Sequence, residues 1–107
     1  MVVLCDFNPV IGSEQAGIRP ALVFQIDRAN ETSPHTVVAP FTTKISHSLR
    51  SSHYLVKAGQ AGLVHDSVLL CEQVRAIDKI RMIKLLGVLD QIDITGAEQA
   101  LRTILGL

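Results

Sequence analysis

At 107 residues the chain has the length of one domain, long enough to bury roughly 60 to 70 % of the surface its unfolded form exposes. Hydrophobic residues make up 48 % of it and charged residues 19 %, which excludes a disordered chain and is apolar enough to expect a face buried in an oligomer. Ten Lys plus Arg offset ten Asp plus Glu, so no overall charge marks a nucleic-acid, membrane or acidic partner, and an anionic ligand has to meet a local cluster.

The first element in chain order is Val2-Val3-Leu4-Cys5, a short β-branched run that ends in a turn at Asp6 and Asn8-Pro9. A polar, glycine-bracketed loop, Gly12 to Gly17, then feeds a second strand over Ile18 to Asp27, with Pro20 near its start, where a missing N–H is tolerated. Arg28 to Pro34 reads as a polar loop and Thr36 to Thr42 as a third strand. Thr43 to Ser52 is a hydroxyl-rich, mildly basic loop, and His53 to Val56 a fourth strand that runs into turns at Gly59 and Gly62. The continuous apolar centre of Ser67 to Gln73 predicts a strand buried on both faces. Asp78 to Arg81 reads as one tight helical turn, and Ile83 to Leu89 as a last strand or a helix, which periodicity alone does not separate.

Thr95-Gly96-Ala97-Glu98 has the pattern of a capping box, and Ala97, Ala100, Leu101, Ile104 and Leu105 follow at helical spacing, predicting a C-terminal helix on the sheet. Short strands closed by one helix give an α+β fold class with a small, curved β-barrel core.

Cys5 and Cys71 both lie in apolar runs, too few for a secreted disulfide framework or a tetrahedral zinc site, so the cytoplasm is expected. No apolar run reaches the length of a membrane span, and no cleavable leader is evident, so no membrane partner is expected.

The residues alone carry little chemistry. His35, His47, His53 and His65 fall in four different segments without the paired spacing of metal ligands. Only His53, opening a strand beside a polar loop, stands apart from an ordinary surface role. There is no Walker-type phosphate loop and no nucleophile elbow. Arg19 sits at the junction of the glycine loop with its strand, and the third strand ends in hydroxyls at Thr42 and Thr43. A guanidinium fork suits a phosphate and a hydroxyl can relay a proton, but an ordinary ion pair and strand-end capping account for these residues equally simply.

Motif order adds to this. Asn8-Pro9, Gly12-Ser13-Glu14-Gln15 and Gly17-x-Arg19-Pro20-Ala21-Leu22-Val23, followed by Pro40-Phe41-Thr42-Thr43 and by Leu69-Leu70-Cys71-Glu72-Gln73-Val74-Arg75-Ala76-Ile77-Asp78, resemble the MazF/PemK toxin family over essentially the whole chain. The resemblance implies a single toxin domain over residues 1–107, an SH3-like barrel and a homodimer. It also implies a sequence-specific, metal-independent endoribonuclease, without a cofactor, that cuts single-stranded RNA, typically messenger RNA, and is held inactive by a cognate antitoxin.

The family's catalytic arginine and threonine fall on Arg19 and Thr42. Ser13, Glu14 and Gln15 match the loop bordering the RNA groove, and Ser67, Glu72 and Gln73 match the strand lining the same site. Some relatives carry a histidine in the loop and an arginine and aspartate on the later strand. Ser13, Leu70 and Glu72 stand in those places here, so Glu72, His53 or a water is left to act as base. Arg19, Lys44, Arg50 and Arg75 are expected to converge near the groove and Lys79 and Arg81 to form a charged face, with one tyrosine and no tryptophan available for stacking. Two other readings share the fold: a gyrase poison of the CcdB type, whose C-terminal tryptophan is missing here, and a catalytically silent RNA- or peptide-binding module.

Overall fold

The computed structural model describes residues 1–8, 17–24, 31–45 and 49–107. Among the described residues seven strands lead to a C-terminal helix: β1 (Val2–Asp6), β2 (Ile18–Val23), β3 (His35–Thr42), β4 (His53–Val56), β5 (Ser67–Leu70), β6 (Arg75–Asp78), β7 (Met82–Gly87) and α1 (Gln91–Leu105). The order β4-β5-β3-β2-β1-β7 is antiparallel at every pairing, and β6 joins β3 beside β5.

The curvature comes from β3. One of its edges pairs with β2, while the other pairs with β6 through His35 to Val38 and with β5 through Phe41 and Thr42. Ala39 and Pro40 lie between the two ladders, and there the neighbouring chain leaves the sheet in a 3-10 turn at Cys71–Gln73. Pro40 has no N–H to donate at that gap. This is why the strand predicted over Ser67 to Gln73 stops at Leu70, and why Arg75–Asp78, with Ile77 its one buried residue, pairs as a separate strand that its four residues do not announce. Asp78 closes β6, and the predicted helical turn is a 3-10 turn at Lys79–Arg81.

Both faces of the sheet are covered, which explains its unbroken apolar runs. Successive strand residues point to opposite faces, so Val2, Leu22, Ala39 and Phe41 join a core with Val56, Leu69, Leu89, Ala97 and Ala100, whereas Val3, Cys5, Ala21 and Val38 pack with Phe7 and Ile77 on the other side. Pairing with β1 settles 82–87 as a strand, and register shifts at Val2/Val3 and Leu4/Cys5 add twist there. β7 is an end strand of the sheet, and its Ile83 and Leu85 are exposed.

The helix begins earlier than the capping-box pattern predicts. Its N-cap is Asp90, whose carboxylate accepts the Asp93 amide at 2.8 Å. A carboxylate is favoured at the positive end of a helix. Leu89 and Ile94, at the two positions of a hydrophobic staple, both belong to the larger core. Thr95 lies inside the helix, and its hydroxyl donates to the Gln91 carbonyl at 2.9 Å. At the far end Gly106 and Leu107 donate to Thr103 and Arg102 in a Schellman arrangement.

The Tyr54 hydroxyl fixes the helix to β4 by donating to Asp93 Oδ1 at 2.6 Å. That hydrogen bond, with burial and the negative charges of Asp93 and Asp90, pushes the phenol from 10.0 up to about 12. A proton held more tightly in the folded state stabilises the fold below about pH 10, and that contribution is lost as the pH rises towards 12. Urea midpoints of the wild type and Tyr54→Phe should therefore differ at pH 8, by about 1 kcal/mol of stability, and converge by pH 12. A difference that stays constant across this range would refute the assignment.

Burial also holds Cys5 near 11 and Cys71 near 12, so both thiols are protonated and unreactive at neutral pH. They are free of any disulfide. Among the described residues no helix is long and apolar enough to cross a membrane.

Candidate active site

A pocket of about 570 Å³ opens where the ends of β2, β3 and β5 meet β7 and the 57–66 loop. Arg19, the second residue of β2 and the ladder partner of Cys5 on β1, lines it, and its Nη1 donates to the Phe41 carbonyl of β3 at 3.4 Å. Thr42 ends β3 beside it, buried, with its hydroxyl oxygen accepting the Lys44 amide at 3.2 Å. A hydroxyl used as an acceptor still has its own hydrogen to donate. Ser67, first residue of β5, donates to the His65 carbonyl at 2.9 Å.

The loop wall is built to keep its shape. Asp66 accepts the Ala58 amide at 2.8 Å and pairs with Lys57 at 3.8 Å across the loop's neck. Gly62 has a φ of +77°, and a Cβ there would lie 2.3 Å from the Leu86 carbonyl oxygen of β7. Gly87 is held as closely, since its Cβ would meet the Ala61 carbonyl carbon at 2.5 Å. Loop and strand thus touch backbone to backbone.

Among the described residues the lining combines an apolar wall, including Pro20, Phe41, Leu63 and Val64, with Arg19, Lys84 and His65 and the hydroxyls of Thr42, Thr43 and Ser67, and includes no carboxylate. On a chain of zero net charge this is a local positive field bounded by low-dielectric walls, suited to an anion with an apolar portion. Among the described residues, no three His, Cys, Asp or Glu side chains gather as a metal site.

The neck of the glycine loop is pinned next to the pocket. The Phe7 amide donates to the Gly17 carbonyl and the Gly17 amide to Asn8 Oδ1, each at 3.0 Å, with Gly17 at a φ of +81° that favours glycine. Arg81 donates to the carbonyls of Asp6 and Asn8, so it ties down this neck rather than standing on an open charged face.

The sequence-predicted residues divide into groups. Arg19, Thr42 and Ser67 come together around the pocket, whereas Ser13, Glu14 and Gln15 lie outside the described residues. Glu72 and His53 do not line the pocket. They pair with each other, His53 Nε2 to Glu72 Oε2 at 2.6 Å, by the end of β4–β5 remote from Ser67. Because the Arg50 amide donates to His53 Nδ1 at 3.3 Å, the ring proton is on Nε2 and is directed at Glu72. Lys44, Arg50 and Gln73 are also absent from the lining, and Arg75 stacks over the Phe7 ring, 5.5 Å from its centroid. Besides Arg19, the basic groups that line it are Lys84 and His65, which escaped the sequence reading. One signal was present: His65 precedes Ser67 by two positions.

Comparison with known proteins agrees with this geometry. Residues 1–105 match the family described as PemK-like, MazF-like toxin of type II toxin-antitoxin system. Endoribonuclease EndoA of Bacillus subtilis (strain 168) is 40 % identical over 106 residues, covering 99 % of this chain and 91 % of that protein. Among solved structures, MazF of Deinococcus radiodurans matches with a TM-score of 0.85 at 24 % identity, over 99 % of this chain and 93 % of that one. An endoribonuclease from a mycobacterial species, in complex with its cognate antitoxin, matches with a TM-score of 0.80 at 17 % identity, over 99 % and 91 % of the two chains. The latter two speak for the fold, and the match along nearly the whole length places this chain in the PemK-like, MazF-like toxin family of type II toxin–antitoxin systems.

Proposed function

We propose that the chain is the endoribonuclease toxin of such a module, cutting single-stranded messenger RNA at a preferred sequence without a metal ion. The observation that carries this reading is the meeting of Arg19, Thr42 and Ser67 in one pocket that Lys84, His65 and the Thr43 hydroxyl also line. With these groups, RNA is cleaved by its own 2′-hydroxyl. The 2′-oxygen attacks phosphorus, the bond from phosphorus to the 5′-oxygen breaks, and the products are a 2′,3′-cyclic phosphate and a 5′-hydroxyl. Arg19 offsets the charge that grows on the phosphorane oxygens, and Thr42 binds a phosphate oxygen through its hydroxyl hydrogen. The apolar part of the lining lowers the local dielectric and strengthens both contacts.

We assign the toxin a cytoplasmic location, a cognate antitoxin that closes the groove, and a homodimeric state. The exposed Ile83, Leu85, Val88 and Ile92 support a buried subunit face.

Purified protein mixed with a long single-stranded RNA in EDTA should release fragments bearing 5′-hydroxyl and cyclic-phosphate ends at a recurring sequence. Intact RNA, or fragments with 5′-phosphates, would overturn the proposal. Stoichiometric antitoxin should stop the cleavage.

A further inference from the structure

We propose that His65 is the proton acceptor of the cleavage reaction, a role that rests on reading the pocket as the place where RNA is cut. The reaction needs a group that takes the 2′-hydroxyl proton at neutral pH. Arg19 and Lys84 already carry their protons as cations, and Thr42, Thr43 and Ser67 are hydroxyls, so among the described lining residues the imidazole of His65 is the side chain with a basic lone pair suited to that range. The carboxylate that the family pattern offers, Glu72, is bound to His53 outside the pocket.

The described histidines differ in what they are committed to. His35 is paired with Asp78 at 2.9 Å and His53 with Glu72 at 2.6 Å. His65 is exposed and lines the pocket, and its imidazole has no hydrogen bond or ion pair among the described residues. Its backbone is nonetheless fixed, since its carbonyl accepts the Ser67 hydroxyl and the next residue, Asp66, is clamped to Ala58. An uncommitted ring on an anchored backbone, in a pocket that Arg19 of β2 and Lys84 of β7 also line, is placed as a base should be.

In the step itself the 2′-O–H bond breaks and its proton passes to a ring nitrogen of His65. The 2′-oxygen bonds to phosphorus, and the 5′-oxygen leaves with the electron pair of its bond and takes a proton from water. Arg19 and Lys84 offset the developing negative charge.

The test measures cleavage of an RNA oligonucleotide in EDTA, from pH 5 to 9, by the wild type, His65→Gln, His65→Ala and Arg19→Ala. His65→Gln should keep the wild-type melting temperature, lower kcat/KM by about 10²- to 10³-fold, and lose the acid limb of the wild-type pH profile. Free imidazole should restore part of the His65→Ala rate. A His65→Gln enzyme within threefold of the wild-type rate, with the same acid limb, overturns the assignment. So does a slow variant that keeps the limb and ignores imidazole, because that pattern belongs to a binding residue. In either case a wild type that cleaves and an Arg19→Ala variant that does not leave the endoribonuclease reading standing. A wild type that leaves the RNA intact removes both.

Discussion

Arg19→Ala is expected to lower the single-turnover rate of RNA cleavage by about 10²- to 10³-fold at saturating protein, the loss that follows removal of one preorganised donor from a developing oxyanion. The effect falls on kcat rather than on RNA affinity, because the guanidinium is matched to charge that appears only as the phosphorane forms. The bond to the Phe41 carbonyl holds Arg19 in the pocket wall before substrate arrives, so little reorganisation accompanies the reaction. Arg19→Lys should recover little, since an ammonium is a point charge without the planar fork that spans two phosphate oxygens. A lysine variant within threefold of the wild type would show that bulk positive charge, which Lys84 also supplies, is all the site needs.

The second large effect is on stability. Gly96 lies inside α1, where helix propensity alone predicts that alanine stabilises by about 1 kcal/mol. The packing reverses the sign. A Cβ at 96 would sit 2.0 Å from Cε1 and 2.5 Å from Cζ of the Tyr54 ring, and that ring is held by its bond to Asp93 one turn earlier. Relief requires the ring to withdraw and give up the hydrogen bond, or the helix to lift from β4. Overpacking and the lost bond together should cost about 2 to 3 kcal/mol, lowering the melting temperature by about 10 °C or more. In a Tyr54→Ala background the same change should become neutral or stabilising. If Gly96→Ala is equally harmful with and without the ring, the contact is not the cause.

What the sequence revealed was whatever depends on neighbours along the chain. β4 has the bounds read from His53 to Val56, and β3 begins one residue before its predicted start, because β-branched runs bounded by turn residues declare themselves locally. The start of α1 was misplaced because two capping patterns compete. Thr95-x-x-Glu98 is the stronger in sequence, but Asp90 places its staple residues in the core. Short β6 was invisible because its identity comes from pairing with His35 to Val38, some forty residues earlier. The same reason separates Arg19 and Thr42, recognisable by motif, from Lys84 and His65. Lys84 reaches the pocket because β7 pairs with β1, and no local pattern encodes that.

This pairing also sets a time order. Leu4 pairs with Lys84 and Val2 with Gly87, and Gly62 packs on Leu86, so part of the pocket's lining comes from a strand that follows β1 to β6 in the chain. A nascent chain that has emerged as far as β5 already contains Arg19, Thr42, His65 and Ser67, but it has no β7 to complete their shared wall. The pocket therefore cannot close on the residues up to β5 alone, and its wall is complete only once the later β7 has paired with β1.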